Sequence, residues 1–274
     1  MKTVKNKEIL VGADFAGFPL KEAVVEHLQK KGWRMKLVEK LKEKYASFGT
    51  AEGITIACLG DSVTQGCFEC CIDGNGNVNT VFDQSKAYHA YLREMLGTLY
   101  PAVPISIINA GLSGGGAPQG ANRLERDVLR HEPDLVIVCF GLNDSGGGLA
   151  GLDRYENALR EIFEKPLASG AECIFMTPNM MNTRVDKNLA EPKIREIAEV
   201  IMKRQLDGVL DAYVERAKKT AADCGVPVCD CYAKWKRLEA AGVDITLLLA
   251  NRINHPIPEM NKLFASSLLE MILA

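Results

Sequence analysis

Short apolar runs alternate with amphipathic stretches along most of this chain, and the alternation predicts an α/β fold. The apolar runs are rich in β-branched residues and nearly free of charge, as in parallel strands that are buried on both faces. We predict strands over residues 54–59, 105–109, 134–141, 173–176 and 227–231. Helical spacing predicts helices over 86–99, 123–131, 154–168, 194–224, broken or bent near 207–208, and 259–273. Strands alternating with helices predict a five-stranded parallel sheet covered by helices on both faces.

A separate pattern precedes this alternation. Residues 8–12 predict a strand, 19–31 an amphipathic helix and 33–38 a second strand, which together form a small βαβ-like unit. The stretch 41–53 is polar and mixed, and it predicts a linker. We therefore expect an N-terminal extension over residues 1–50 and a main domain over residues 51–274.

Asp61 and Ser62 follow the first buried strand of the main domain directly, after Gly60. That position lies at the carboxyl edge of the predicted sheet, where open α/β folds bind ligands. A helix beginning there directs backbone N–H groups toward the Ser62 hydroxyl and favours an oxyanion. Taken alone, Gly-Asp-Ser is also an ordinary turn and helix cap, because Asp and Ser are both common N-caps.

Composition and charge narrow the classes of partner. A net charge of −2 gives no electrostatic reason to expect nucleic acid or an anionic membrane as a partner. No apolar run reaches the ~18 residues of a membrane span, and the patch at 9–12 is too short for a signal-peptide core, so we expect a cytoplasmic protein. Nine cysteines, several of them in predicted strands, are interpreted as reduced thiols.

Two stretches have metal-like spacing, and neither completes a site. Cys67, Cys70 and Cys71 lack a second Cys/His pair at zinc-site spacing. The run that begins at Asp73 has Val78 where a calcium loop requires glycine and Gln84 where it requires glutamate. We therefore predict no metal and no cofactor, and interpret the Gly/Asn-rich loop as a turn or as part of a substrate mouth.

Four separated blocks resemble the SGNH, or GDSL-type, hydrolases: Gly60-Asp61-Ser62, residues 109–114, residues 141–144, and Asn254-His255-Pro256. They occur in the order found in that family and span about residues 54–274. The resemblance implies a three-layer α/β/α sandwich with a five-stranded, flavodoxin-like sheet. It also implies the activity of a serine esterase, lipase or carbohydrate deacetylase.

The resemblance assigns roles to particular residues. Ser62 is the expected nucleophile and His255 the expected base, with an oxyanion hole from the Ser62 and Gly114 N–H groups and the Asn143 side chain. Family members usually carry an aspartate three or four residues before the histidine, where this chain has Arg252 and Asn251. Asn251 is the candidate that orients the His255 ring by accepting from it. A backbone carbonyl and Asp244 are the alternatives.

The expected reaction is hydrolysis of short acyl esters through an acyl-enzyme, with an acetylated carbohydrate as the small-molecule substrate. A lysophospholipase or thioesterase is one alternative, and a non-catalytic sugar-binding protein that has lost the triad aspartate is another. Residues 11–28 resemble the opening of the ribose-5-phosphate isomerase B family, but Phe15 stands where that family has histidine. That resemblance implies a docked remnant. The sequence does not predict the oligomeric state.

Overall fold

The computed structural model describes residues 36–47 and 53–274. The strands of these residues are β1 (Ile54–Gly60), β2 (Cys67–Ile72), β3 (Val78–Phe82), β4 (Ile105–Gly111), β5 (Leu135–Cys139), β6 (Glu172–Met176) and β7 (Val228–Cys229). The α-helices are α1 (Lys36–Ala46), α2 (Ser62–Gln65), α3 (Tyr88–Leu99), α4 (Ala117–Asp127), α5 (Leu152–Ser169), α6 (Pro192–Leu206), α7 (Val209–Asp223), α8 (Cys231–Ala240) and α9 (Pro258–Leu273).

Five strands form one parallel sheet in the order β4-β1-β5-β6-β7, and β2 pairs with β3 in a separate antiparallel hairpin. Counted within the main sheet, this is the flavodoxin-like order 2-1-3-4-5. The predicted five-stranded parallel sheet is therefore confirmed. Gly60, the last residue of β1, pairs with Gly111 of β4 and with Cys139 of β5. Three neighbouring strands thus end at the same level, and the loops that follow them meet at one edge.

The two faces of the sheet carry separate hydrophobic cores. Along β1, Ile56 and Cys58 face one core, whereas Ala57 and Leu59 face the other, because successive side chains of a strand point to opposite sides. The first core is closed by α1, α3, α8 and α9, and its largest buried side chain is Trp235. The second is closed by α4, α5 and α7. This arrangement confirms the three-layer α/β/α sandwich.

The strand predicted over residues 33–38 is wrong where the structure describes it, because Lys36 begins helix α1. Leu37, Val38 and Leu41 recur at helical spacing and are buried, while the lysines and glutamates between them are mostly exposed. The side chain of Glu172 accepts from the backbone N–H groups of Lys36 and Leu37 and so caps the helix. The predicted linker over 41–53 is likewise wrong over its first part, since α1 continues to Ala46.

The division at residue 50 stays a prediction. The three buried residues of α1 belong to the same core as the main sheet. The strand predicted over 8–12 and the helix predicted over 19–31 lie outside the described residues.

The interruption predicted near 207–208 is confirmed. The stretch 194–224 is two helices, α6 and α7, separated at Gly208, whose φ of +71° suits glycine. The Gly/Asn-rich loop is the turn of the β2–β3 hairpin, in which Asp73 Oδ1 accepts from the N–H groups of Asn75 and Asn77. That hairpin was not predicted. Within the described ranges, no helix has the length and apolarity needed to cross a bilayer.

Candidate active site

Ser62 is the first residue of the one-turn helix α2, directly after β1. Asp61 caps this turn by accepting from the N–H of Val63 at 2.9 Å. A side chain at Gly60 would place its Cβ 2.8 Å from the carbonyl oxygen of Cys139, so the sharp strand-to-helix turn requires glycine there. Gly66, with a φ of +91°, ends the turn. The serine is therefore held by a short, tightly packed turn at the carboxyl edge of the sheet.

The Ser62 hydroxyl contacts the ring of His255. Their Oγ and Nε2 atoms lie 2.9 Å apart, although the two residues are far apart in sequence. Each is only 4% exposed. This distance lies within the range of about 2.6–3.2 Å that is expected between a nucleophile and its base. The structure therefore brings together the two residues that the sequence singled out.

The loop that carries His255 is shaped by the side chain of Asn251. Its Oδ1 accepts from the backbone N–H groups of Ile253, Asn254 and His255, each at 3.0 Å. A second asparagine, Asn179, donates from its Nδ2 to the carbonyl of Asn254 at 2.8 Å. The histidine is therefore positioned by side-chain amides and their hydrogen bonds, outside the main sheet.

Asn251 also contacts the His255 ring, as predicted, but with the other end of its amide. Asn251 Nδ2 lies 3.0 Å from His255 Nδ1. The oxygen that was expected to accept from the ring is occupied by the loop backbone. Asp244, the alternative acid, accepts from the N–H of Thr246 and pairs with Arg184 at 2.7 Å.

The hairpin strand β2 covers the Nδ1 side of the ring. Cys67 Sγ lies 3.5 Å from His255 Nδ1. Burial lowers the pKa of His255 to about 4, and the Phe68 carbonyl opposes that shift. Among the described residues, no group of three or more His, Cys, Asp or Glu side chains forms a metal site.

The loop after β4 lies against the serine turn. Gln65 Oε1 accepts from the N–H of Ser113 at 2.7 Å, and the Leu112 N–H donates to the Gly60 carbonyl at 3.1 Å. Gly114 follows with a φ of +75°, a conformation that favours glycine. The loop with the predicted oxyanion donor Gly114 is thereby fixed to the turn that carries Ser62.

The loop after β5 brings Asn143 to the same edge. Asn143 Nδ2 donates to the carbonyl of Gly115 at 2.9 Å, which leaves its second amide hydrogen for another acceptor. The neighbouring Asp144 accepts from the N–H groups of Ala117 and Gly141, at 2.8 and 3.1 Å. Burial raises the pKa of Asp144 to about 6. These bonds join the loops that contain the second and third sequence blocks.

A pocket of about 200 Å³ lies beside these loops. Gly114 and Asn143 are among its lining residues, together with Gln119, Arg154 and Tyr155. The lining is therefore largely polar, and it includes two of the three predicted oxyanion donors.

Comparison with known proteins gives the family. Residues 58–263 match the GDSL-like lipase/acylhydrolase family, which covers more than half of the chain. The chain belongs to this family. The four sequence blocks predicted it correctly, whereas the resemblance of residues 11–28 to ribose-5-phosphate isomerase B is not borne out.

Two curated proteins are similar to parts of this GDSL-like chain. An acetylxylan esterase of Geobacillus stearothermophilus is 31% identical over 137 residues, which cover 46% of this chain and 60% of that protein. The thioesterase 1/protease 1/lysophospholipase L1 of Escherichia coli K12 is 30% identical over 132 residues, which cover 47% of this chain and 53% of that protein. The chain thus spans little more than half the length of these relatives.

Solved structures share the fold over most of the chain. An α/β hydrolase from the metagenome of Lake Arreo, Spain, has a TM-score of 0.60 at 21% identity and covers 84% of this chain and 99% of its own. A catalytic mutant of the Geobacillus stearothermophilus acetylxylan esterase has a TM-score of 0.58 at 22% identity, over 81% and 95% of the two chains. A second catalytic mutant of that esterase replaces an aspartate by alanine.

Sequence reasoning missed one buried charge in this GDSL-like site. Arg123 donates to the carbonyls of Ala110 and Gly60 at 2.6 and 2.8 Å, so it ties together the ends of β4 and β1. Asp61 lies near it, with a pKa raised to about 7, chiefly by burial, and its Oδ2 has no partner among the described residues. An arginine within an amphipathic helix gives no sequence signal for such a position, because most helical arginines are exposed.

Proposed function

We propose that this protein is a serine esterase that hydrolyses short acyl esters, with acetylated carbohydrates as its substrate class. The observation that carries the proposal is the 2.9 Å contact between Ser62 Oγ and His255 Nε2 at the carboxyl edge of the sheet. The loops that hold Gly114 and Asn143 are hydrogen-bonded to that edge and to each other. Nucleophile, base and oxyanion donors thus come from three strand ends and one loop.

The reaction begins when His255 Nε2 accepts the Ser62 proton as Oγ attacks the acyl carbon. The carbonyl oxygen becomes an oxyanion, which the Ser62 and Gly114 N–H groups and the Asn143 amide stabilise. His255 then donates its proton to the departing sugar hydroxyl, leaving an acyl group on Ser62. Water, deprotonated by the same nitrogen, hydrolyses this acyl-enzyme and restores the serine.

The His255 ring is uncharged before the reaction begins. Burial holds the pKa of His255 at about 4, so the imidazole is neutral through the physiological range. A neutral ring is required before Ser62 attacks. The ring gains charge only during the reaction, when the negative oxyanion forms beside it.

The pocket supports a polar alcohol group beside the oxyanion donors. Its volume of about 200 Å³ is lined by Gln119, Asn143 and Arg154, but not by Ser62 or His255, so it suits the sugar part of the ester next to the reacting carbonyl. Similarity to an acetylxylan esterase favours an acetylated sugar. The corresponding candidate substrate is an acetylated xylo-oligosaccharide.

A thioesterase or lysophospholipase is the second candidate. Leu112 and Leu149 are 45% and 62% exposed, and they precede the pocket-lining residues Gly114 and Gly151 by two positions each. Exposed apolar side chains of this kind suit an acyl chain that lies on the surface. The similarity to the Escherichia coli thioesterase 1/lysophospholipase L1 supports the same reading.

The test combines labelling with a substrate panel. A fluorophosphonate probe is expected to label the protein but not its Ser62→Ala variant. Release of acetate from acetylated xylo-oligosaccharides is expected to exceed hydrolysis of palmitoyl-CoA and of lysophosphatidylcholine in kcat/KM. Absence of labelling and of turnover would indicate the non-catalytic sugar-binding alternative, whereas faster cleavage of the long-chain substrates would select the second candidate.

A further inference from the structure

The hydrogen bonds around His255 indicate which of its two ring nitrogens carries the proton. We propose that Asn251 is a positioning residue that holds the neutral His255 ring in the tautomer with its proton on Nε2. In that tautomer the ring donates to Ser62 and cannot accept its proton. The inference rests on the proposed function, because it concerns the base of that reaction.

The orientation of the Asn251 amide is fixed by its own loop. Its oxygen accepts from three backbone N–H groups at 3.0 Å each. Rotating the amide by 180° would turn its NH₂ group toward those donors and leave the buried N–H groups without an acceptor. The nitrogen end must therefore face the ring.

The two hydrogens of Asn251 Nδ2 then have three candidate partners. Asn254 Oδ1 and His255 Nδ1 each lie 3.0 Å away, whereas Cys70 Sγ, a weaker acceptor, lies 3.5 Å away. An amide nitrogen donates and does not accept, so Nδ1 must offer its lone pair. In a neutral imidazole the proton then lies on Nε2, which is 2.9 Å from the Ser62 oxygen.

Turnover requires the opposite tautomer, with the proton on Nδ1 and the lone pair on Nε2. On that side of the ring the Cys67 sulfur, 3.5 Å from Nδ1, is a weak acceptor for such a proton. With the proton on Nδ1, however, Asn251 Nδ2 faces another donor at about hydrogen-bond distance. The site must therefore shift the ring or the loop before Ser62 is activated.

The same atoms explain what an aspartate would change. Asn251→Asp keeps one oxygen for the three backbone N–H groups and replaces the donor beside Nδ1 by an acceptor of the same size. An amide in place of the triad acid of a serine protease lowers kcat by about 10⁴-fold through the wrong tautomer. In this protein the amide is the native residue, so we expect the substitution to release the restraint, raising kcat at least about 10-fold.

Two measurements test the proposal. The first is the ¹⁵N chemical shifts of the His255 ring in histidine-labelled wild-type protein at pH 7, with His255→Gln used to assign the signals. We expect a protonated Nε2 and an unprotonated Nδ1. The opposite pattern in the wild type would overturn the proposal, and this readout does not depend on turnover.

The second measurement is kcat for acetyl ester hydrolysis by Asn251→Asp, with Asn75→Asp as the matched control. Asn75→Asp makes the same chemical change at an exposed residue of the hairpin turn, so it should leave both the tautomer and kcat of the wild type in place. We expect Asn251→Asp to move the proton to Nδ1 and to raise kcat. If the proton moves to Nδ1 in Asn251→Asp but kcat does not rise, the proposal that Asn251 restrains turnover is wrong.

Failure of the proposed esterase function would give a different experimental result from failure of this inference. If neither the wild type nor Asn251→Asp is labelled at Ser62 by fluorophosphonate or hydrolyses any ester, the esterase proposal fails. The ring tautomer would still be read from the nitrogen shifts.

Discussion

The serine half and the histidine half of this site are built in different ways. Ser62, Gly114 and Asn143 follow the ends of three adjacent strands, β1, β4 and β5, whose register places those ends at one level. His255 lies in a loop held by the side-chain amides of Asn251 and Asn179. Moving the serine would require a change in the sheet, whereas the histidine depends on a few local hydrogen bonds. In the histidine half, Asn251 and Arg252 also stand where the resemblance led us to expect an aspartate.

Removing the nucleophile should have the largest effect. Ser62→Ala is expected to lower kcat for p-nitrophenyl acetate by at least about 10⁴-fold, because no other hydroxyl lies within reach of His255 Nε2 among the described residues. The melting temperature should change little, since strand register holds the turn. Parallel assays of kcat and thermal unfolding check both parts, and substantial turnover by this variant would remove Ser62 from the mechanism.

The second-largest effect is also expected from a substitution in the serine half. Asn143→Ala is expected to lower kcat by roughly 10²–10³-fold, as loss of one oxyanion donor does in the protease where it was measured. KM should change less, because the oxyanion exists only after attack. Asn75→Ala, at the exposed tip of the hairpin, is the control. Equal kcat values for the two variants would mean that Asn143 makes no oxyanion contact.

The third prediction concerns a substitution in the histidine half. Asn179 is buried and donates to the carbonyls of Met180 and Asn254. Asn179→Ala should leave both carbonyls short of a donor and lower the free energy of unfolding by about 1–3 kcal/mol. Because the His255 loop loosens, kcat should also fall about 10-fold. Urea unfolding and kcat measured on one preparation test the link; a fall in stability with kcat unchanged would contradict it.

The smallest expected effect is a difference in pH dependence. Burial lowers the pKa of His255 below its ordinary value of 6.5, so the unfolded chain binds the extra proton and stability is lost as pH falls from about 6.5 toward 4. Burial raises the pKa of Asp61 from 3.8 to about 7, so the folded chain binds the extra proton and stability is lost as pH rises from about 4 to 7. The contributions of His255 and Asp61 to the pH dependence of stability therefore have opposite signs.

Single substitutions should separate these two contributions. Asp61→Asn is expected to steepen the loss of stability toward acid, and His255→Gln to make the protein less stable toward neutral pH, each by about 1–3 kcal/mol. Melting temperatures between pH 4 and 7 give the measurement. Parallel profiles for wild type and both variants would show that neither group has the shifted pKa.

The sequence was sufficient for the serine half and for part of the histidine half. Buried strands have few alternatives once their apolar runs are recognised, and their carboxyl ends predicted where Ser62 and Asn143 lie. The helix at Lys36 was missed because a short apolar run such as 33–38 fits a strand as well as a helix. The orientation of the Asn251 amide could not be predicted, because it depends on the conformation of the three residues that follow.

The two ends of the β2–β3 hairpin are hydrogen-bonded to each other. The chain leaves the serine turn at Gly66 and returns at Asp83, whose N–H donates to the Gly66 carbonyl at 2.8 Å. The main sheet contains neither hairpin strand, yet β2 supplies the atoms that cover the Nδ1 side of His255. Residues 67–82 could therefore be replaced as one unit. Such a replacement would change the surroundings of the His255 ring, and so its pKa, while the strands that position Ser62 would stay unchanged.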